Sequence, residues 1–341
     1  MLETLKFRFA LMPGESLPKR IAAKLMDVAG IFLGRDELLP PFSMRRTIGE
    51  SRWQLRGEEF KIQGNRFVQK LIEDAGLRPD SKVLDLGSGC GRIAIPVTEV
   101  LSAAGEYVGL EPIANLARWC SKEITSRFPN FGFRHCDIYN NLYNRTGTIH
   151  PESFKFPFDT EYFDLIVATS VFTHLTPKAV ENYALECSRV LKKRGKLFAS
   201  CFLIENGIRG VNPGLDFDYV LEPNVARVID PTNPERAIAF TSEWLVLQLE
   251  NEHMRLLHPV RWVAGLANNL ATPVKMFSSL RNLDSHERLN TMNFGSAEVK
   301  TCRKVRNKSS IIRTAMPQDA CFPTAAPAFP SPAESARNPH S

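Results

Sequence analysis

An alternation along the chain limits its fold more than any other feature. Short apolar runs stand at 83–86, 107–110, 131–134, 163–168 and 197–202, and longer amphipathic stretches separate most of them. Runs this short fit strands, whereas the stretches between carry helical spacing. Strands alternating with helices build βαβ units on a parallel sheet. The expected fold is therefore α/β, a Rossmann-like doubly wound and mostly parallel sheet.

Two of the intervening stretches can be read residue by residue. Ile93, Val97, Val100, Leu101 and Ala104 lie on one helical face, and Pro96 falls in the opening turn, where no intrahelical N–H is lost. A second helix is expected to start at Thr176–Pro177, an N-cap hydroxyl followed by proline, to turn Val180, Ala184, Cys187 and Leu191 inward, and to end at the "KKRG" of 192–195. Ahead of the first strand, "RGEEFKIQGNRFVQKLIEDAG" places Phe60, Phe67, Val68, Leu71 and Ile72 on one face.

Between the first strand and its helix the chain reads "DLGSGCGR", with Gly87, Gly89 and Gly91 in five residues. Open α/β sheets bind ligands at this carboxyl edge, and glycine lets a ligand approach the backbone. The loop's N–H groups and the following helix start would favour a negative group. A dinucleotide fingerprint needs glycine or alanine where Arg92 stands, which disfavours NAD or another nucleotide.

Composition removes other classes. The chain has 341 residues, 43% of them hydrophobic, ample for a buried core, and no apolar run long enough to span a bilayer. The start lacks a signal-peptide core, so a cytoplasmic location is expected. The formal charge of +6 is matched by Lys300, Arg303, Lys304, Arg306, Lys308 and Arg313, so the remainder is near neutral and no nucleic-acid partner is expected. Cys90, Cys120, Cys136, Cys187, Cys201, Cys302 and Cys321 form no CxxC pair, and no metal site is expected.

The G-x-G-x-G loop preceded by Asp85, followed by "YVGLEP", "FGFRHCDIYN" and "FDLIVATSVFTHL" in that order, resembles the class I S-adenosylmethionine-dependent methyltransferases over roughly residues 80–203. The resemblance implies S-adenosylmethionine as cofactor. It implies a donor site of Asp85, Gly87, Ser88, Gly89, Gly91, Glu111, Pro112, Cys136, Asp137, Ile138 and Ser170. In it Glu111 would accept from the ribose hydroxyls and Asp137 would meet the adenine amine. No catalytic residue is assigned, and His174 is the candidate base. The expected function is methyl transfer to a small-molecule, sugar-like or lipid acceptor, with oligomeric state open. The alternatives are a non-catalytic S-adenosylmethionine-binding protein and an NAD- or nucleotide-binding enzyme. Tyr139, Tyr143, His150, Asp216, Asp218 and Tyr219 are candidate acceptor contacts.

Three segments are expected: a helical and irregular N-terminal cap over 1–78, with "RTIGESRW" over the mouth of the donor site; the methyltransferase domain over 79–263; and a low-order tail over 264–341, basic and then rich in Pro, Ala and Ser. The resemblance implies one more, antiparallel strand, and after Trp262 no convincing candidate for it is found. A change of reading frame just after Trp262 is the expectation drawn from that gap.

Overall fold

The structure, a computed structural model, describes residues 17–32, 38–48, 57–204, 216–257, 261–264 and 273–282. All of them fall in one unit spanning 1–290. Five strands, β1 (Lys82–Leu86), β2 (Glu106–Glu111), β3 (Phe131–His135), β4 (Phe163–Ala168) and β5 (Leu191–Ile204), lie in the order β3-β2-β1-β4-β5, all parallel. The order reverses between β1 and β4, the topological switch point at which such sheets hold ligands.

Side-chain alternation buries these strands on both faces. Leu84, Leu86, Ile166 and Leu197 belong to one core, with α6 (Pro177–Val190) and α7 (Ser242–Asn251). Val83, Leu165, Val167 and Phe198 belong to the other, with α3 (Glu58–Glu73), α4 (Ala94–Val97) and α5 (Ala114–Cys120). Neighbouring residues of one strand point to opposite faces, so each apolar run supplies two cores at once. The N-terminal segment contributes α1 (Leu17–Phe32) and α2 (Phe42–Arg45), the latter opening directly after Pro41.

Local expectations are met unevenly. Thr176 caps α6 through Ala179 N–H at 3.3 Å, but the helix ends at Val190, because Leu191 is already extended. The "KKRG" segment instead forms a bulge at the start of β5, with Arg194 at a φ of 64°. On α3, Phe60, Phe67, Val68 and Leu71 are buried while Ile72 is exposed, one position off the stripe. The helix after the glycine loop is only four residues long, and Ala104 is exposed rather than inward. Turns follow it and deliver the chain to β2.

The expectation of a missing antiparallel strand is overturned. β11 (Pro273–Asn282) runs antiparallel to β5, pairing Lys275 with Cys201 and Arg281 with Lys196, and antiparallel to β9 (Met254–Leu256) on its other side. It also forms a hairpin with β10 (Arg261–Ala264). The gap that suggested a frame change is therefore filled by the chain as it stands. The expected boundary at 263/264 falls within β10, and β11 lies beyond it. The basic run and the proline-rich close lie outside the described residues. β5 is long enough to serve a second set of strands: its end, 202–204, pairs with β8 (Ile238–Thr241), and β7 (Ala226–Val228) and β6 (Tyr219–Glu222) continue that side.

Candidate functional site

The carboxyl ends of β1, β2 and β4 open into a cavity of about 450 Å³. Of the residues expected in the donor site, Asp85, Gly87, Ser88, Gly89, Glu111, Pro112, Ile138 and Ser170 line this cavity. Gly91, Cys136 and Asp137 do not.

Each of the three exceptions has a physical reason. Gly91 has a φ of 83°, and a Cβ there would stand 2.8 Å from Ile124 Cδ1, so this glycine serves the packing of the loop on α5 and the turn after it. Cys136 is buried in the core under α6. Asp137 spends its carboxylate on Asn144 Nδ2 (3.1 Å), Thr148 N (3.1 Å) and Thr148 Oγ1 (2.8 Å), which hold it below the usual carboxylate range. It organises the 137–149 loop rather than the wall of the cavity. Gly89 is different. Its φ is 56°, and a Cβ would point at Ile48 Cγ2, 3.1 Å away on the cavity rim.

The loop also departs from the expectation that its amides serve an anion. Gly87 and Ser88 donate to Leu110 O at 2.8 and 3.1 Å, and Gly89 donates to Glu111 Oε2 at 2.7 Å. These N–H groups are occupied inside the protein, and α4 is too short to present a helix N-terminus. What the loop offers a ligand is room, flanked by two buried acids.

Glu111, 3% exposed, also accepts from Ile113 N at 2.9 Å. A carboxylate has about four lone-pair sites, so two backbone bonds leave capacity on both oxygens. Asp85, 1% exposed, accepts from Tyr107 Oη through one oxygen, while Oδ1 is buried with no partner. An unpaired buried carboxylate oxygen is costly. Burial raises both acids to about 7: Tyr107 and Arg92 pull Asp85 back down, and the amides of Ile113 and Gly89 pull Glu111 down. Burial in turn lowers Arg92, which donates to Ile48 O at 3.3 Å and Gln63 Oε1 at 3.1 Å. Ser88 Oγ is likewise buried and unpartnered.

Ser170 lines the cavity from the end of β4 with a φ of 59°, its amide held by Ser200 Oγ at 2.7 Å. Sequence reasoning missed several wall residues: Thr173, Tyr183, Phe202, Arg236 and the Arg46–Ile48 turn apart from its general placement over the site. Residues 49–56 of the expected cap lie outside the described residues. Of the candidate acceptor contacts, Tyr139 and Tyr143 are on the wall, whereas His150, Asp216, Asp218 and Tyr219 are exposed and are not. His174 is on the wall.

Among the described residues no cluster of three or more His, Cys, Asp or Glu could hold a metal ion, and no helix is long and apolar enough to cross a membrane.

Residues 84–199 match the family model of a methyltransferase domain. Over 109 residues the chain is 28% identical to the ribosomal RNA small subunit methyltransferase A of Streptomyces avermitilis, covering 31% of this chain and 36% of that protein. Over 92 residues it is 29% identical to the protein-L-isoaspartate O-methyltransferase of Methanothermobacter thermautotrophicus, covering 27% and 42%. The chain thus spans less than half the length of either curated relative. Among solved structures, the 1,6-didemethyltoxoflavin-N1-methyltransferase of Burkholderia thailandensis, with 1,6-didemethyltoxoflavin and S-adenosylhomocysteine bound, aligns at a TM-score of 0.43 and 16% identity over 79% of this chain and 92% of that one. The matched segment runs from β1 to β5, through the glycine loop and both buried acids. Over residues 84–199, from the first strand to the fifth, the chain matches a methyltransferase domain.

Proposed function

We propose that this protein transfers a methyl group from S-adenosylmethionine to a small-molecule acceptor held in the cavity at the switch point. The observation that carries the reading is the pair of buried acids on that wall: Asp85, with an unpartnered Oδ1, and Glu111, with lone pairs to spare. Both fit the cofactor's polar groups. Glu111 would accept from the two ribose hydroxyls, and Asp85 Oδ1 would take the positively charged amino group of the methionine part, which relieves its unpaired burial. Pro112, Ile113, Leu116 and Ile138 offer an apolar wall beside Glu111 for the adenine. Gly89 keeps the passage between them free of side chain.

When bound, S-adenosylmethionine supplies a sulfonium-activated methyl group, so the protein's task is chiefly alignment and exclusion of water. A cavity of this volume is within the range of small-molecule sites. The Arg46–Ile48 turn closes one side of it, held by the Arg92 bond to Ile48 O.

Calorimetry tests the reading directly. Binding of S-adenosylmethionine and S-adenosylhomocysteine at about micromolar levels, with no binding of NAD, is the expected result. Binding of NAD alone would overturn it.

A further inference from the structure

The donor assignment leaves one polar constellation on the cavity wall unused. His174 closes the short turn Phe172–His174 after β4. Its Nδ1 lies 2.8 Å from the carbonyl oxygen of Glu235, and its Nε2 lies 3.2 Å from the hydroxyl of Tyr143. A carbonyl oxygen can only accept, so Nδ1 carries the proton and Nε2 presents its lone pair. The Tyr143 hydroxyl therefore donates to Nε2. That leaves lone-pair capacity on the phenol oxygen of a residue that lines the cavity.

The pair is held from two chain segments. The Tyr143 and His174 rings meet edge to face at 5.1 Å and 88°. Asn140 Nδ2 donates to His174 O at 3.3 Å, and Asn140 Oδ1 accepts from Tyr143 N at 3.0 Å. The Glu235 carboxylate accepts from Asn141 N, and Asn141 Nδ2 reaches Asn233 Oδ1 at 3.0 Å. Beside them Thr173 is 3% exposed and lines the cavity, with no partner on Oγ1. Phe154, Leu175, Tyr183 and Phe202 add mostly apolar surface to the same cavity; Arg236 also lines it, with its side chain largely exposed and an ion pair to Asp230 at 3.9 Å.

Resting on the methyltransferase reading, we propose that Tyr143 and Thr173 bind the hydroxyl of a neutral, largely apolar acceptor and that His174 withdraws its proton through Tyr143, making this an O-methyltransferase. The acceptor's O–H proton moves to the Tyr143 oxygen as the Tyr143 proton moves to His174 Nε2. The acceptor oxygen forms its bond to the methyl carbon while the carbon–sulfur bond breaks and its electron pair stays on sulfur. A methyl ether and a neutral thioether result, and the proton on His174 leaves to solvent. A hydroxyl is an acceptor that needs such a base, and the three groups that would meet it, a phenol, an imidazole and a hydroxyl, are uncharged. Burial lowers His174, which keeps the imidazole neutral and able to accept.

Two measurements on the full chain test this. In protein labelled with nitrogen-15 histidine, His174 should show an unprotonated Nε2 and a protonated Nδ1 at neutral pH, and Tyr143→Phe should shift the Nε2 signal. A protonated Nε2 overturns the relay. With S-adenosylhomocysteine present, naphthol should bind about tenfold more tightly than methoxynaphthalene, and Tyr143→Phe and Thr173→Val should each reduce that preference to within about twofold. Equal affinities in the parent, or no binding of naphthol, overturn the hydroxyl acceptor while S-adenosylhomocysteine binding leaves the methyltransferase reading intact. Failure of S-adenosylhomocysteine to bind the parent overturns both.

Discussion

Glu111 Oε2 accepts the backbone N–H of Gly89 at 2.7 Å, so the acid at the end of β2 fastens the glycine loop that follows β1. The loop and the acid are one unit: Glu111 holds the loop's shape with part of its hydrogen-bonding capacity and has lone pairs left over. Loss of the carboxylate acts on both.

Glu111→Ala should weaken S-adenosylhomocysteine binding by about 1–3 kcal/mol, because two hydroxyls lose a charged acceptor. Glu111→Gln, which keeps one carbonyl acceptor, should lose less. Calorimetry of the two variants against the parent checks this, and an unchanged affinity in Glu111→Ala would remove the ribose assignment.

Gly89 and Gly91 allow a matched comparison. Both have positive φ, 56° and 83°, so valine strains the backbone at either site. The added side chain meets different neighbours: the cavity rim at Ile48 for Gly89, and the packed Ile124 side chain for Gly91. Gly91→Val should therefore lower the melting temperature the more, by about 1–3 kcal/mol of additional destabilisation. Gly89→Val should abolish S-adenosylhomocysteine binding in protein that remains folded. Paired melting and binding curves decide it.

The buried acids predict a pH dependence. Asp85 and Glu111 rise to about 7 from ordinary values of 3.8 and 4.5, so between about pH 4 and 7 the folded protein holds protons that the unfolded chain has released. Stability from these groups is present at low pH and is lost as pH rises through about 7. His174, lowered by burial, contributes with the opposite sign near its own titration, so the informative quantity is a difference between proteins. In the absence of ligand, the melting temperature of Glu111→Gln relative to the parent should rise by several degrees between about pH 5 and 8. A difference that does not change with pH would show that Glu111 titrates normally.

Strand β11 should matter to stability although it lies far along the chain from the site. A chain ending at Ala264 lacks it, leaving β5 residues 196–201 without partners on the edge away from β4 and all of β9 without its β11 partner. Its melting temperature should fall by more than about 5 °C relative to the full chain, and equal melting would show that β11 adds nothing to the sheet.

The methyltransferase domain was legible because its signals are local. Short apolar runs, glycines in a strand-to-helix turn and an acid at the end of the next strand are each set by a few consecutive residues, so sequence alone placed β1 to β5, the loop, Glu111 and the Thr176 cap. Where a boundary or partner depends on distant chain, local reading failed. The helix after the loop stops at Val97, and α6 yields to β5 before its "KKRG" end, because the register with β4 takes those residues into the sheet. Asp137 stands where an acid is expected, and its carboxylate accepts from Asn144 and Thr148, partners that its own strand end does not name.

Other features existed only once the chain had folded. Residues 273–282 carry no strong strand pattern, yet two partners with free edges, β5 and β9, pair with them on both sides. Tyr143, Thr173, His174 and Glu235 meet because an insertion after β3, a turn after β4 and a segment before β8 converge on one cavity. The sequence by itself determined the sheet and the two acids beside the glycine loop, since periodicity and glycine conformation act over a few residues. It also named Tyr143 and His174 singly, but tertiary structure alone brought them together with Glu235, since hydrogen bonds such as that between His174 and Glu235 join residues 61 apart, at a separation on which no local spacing bears.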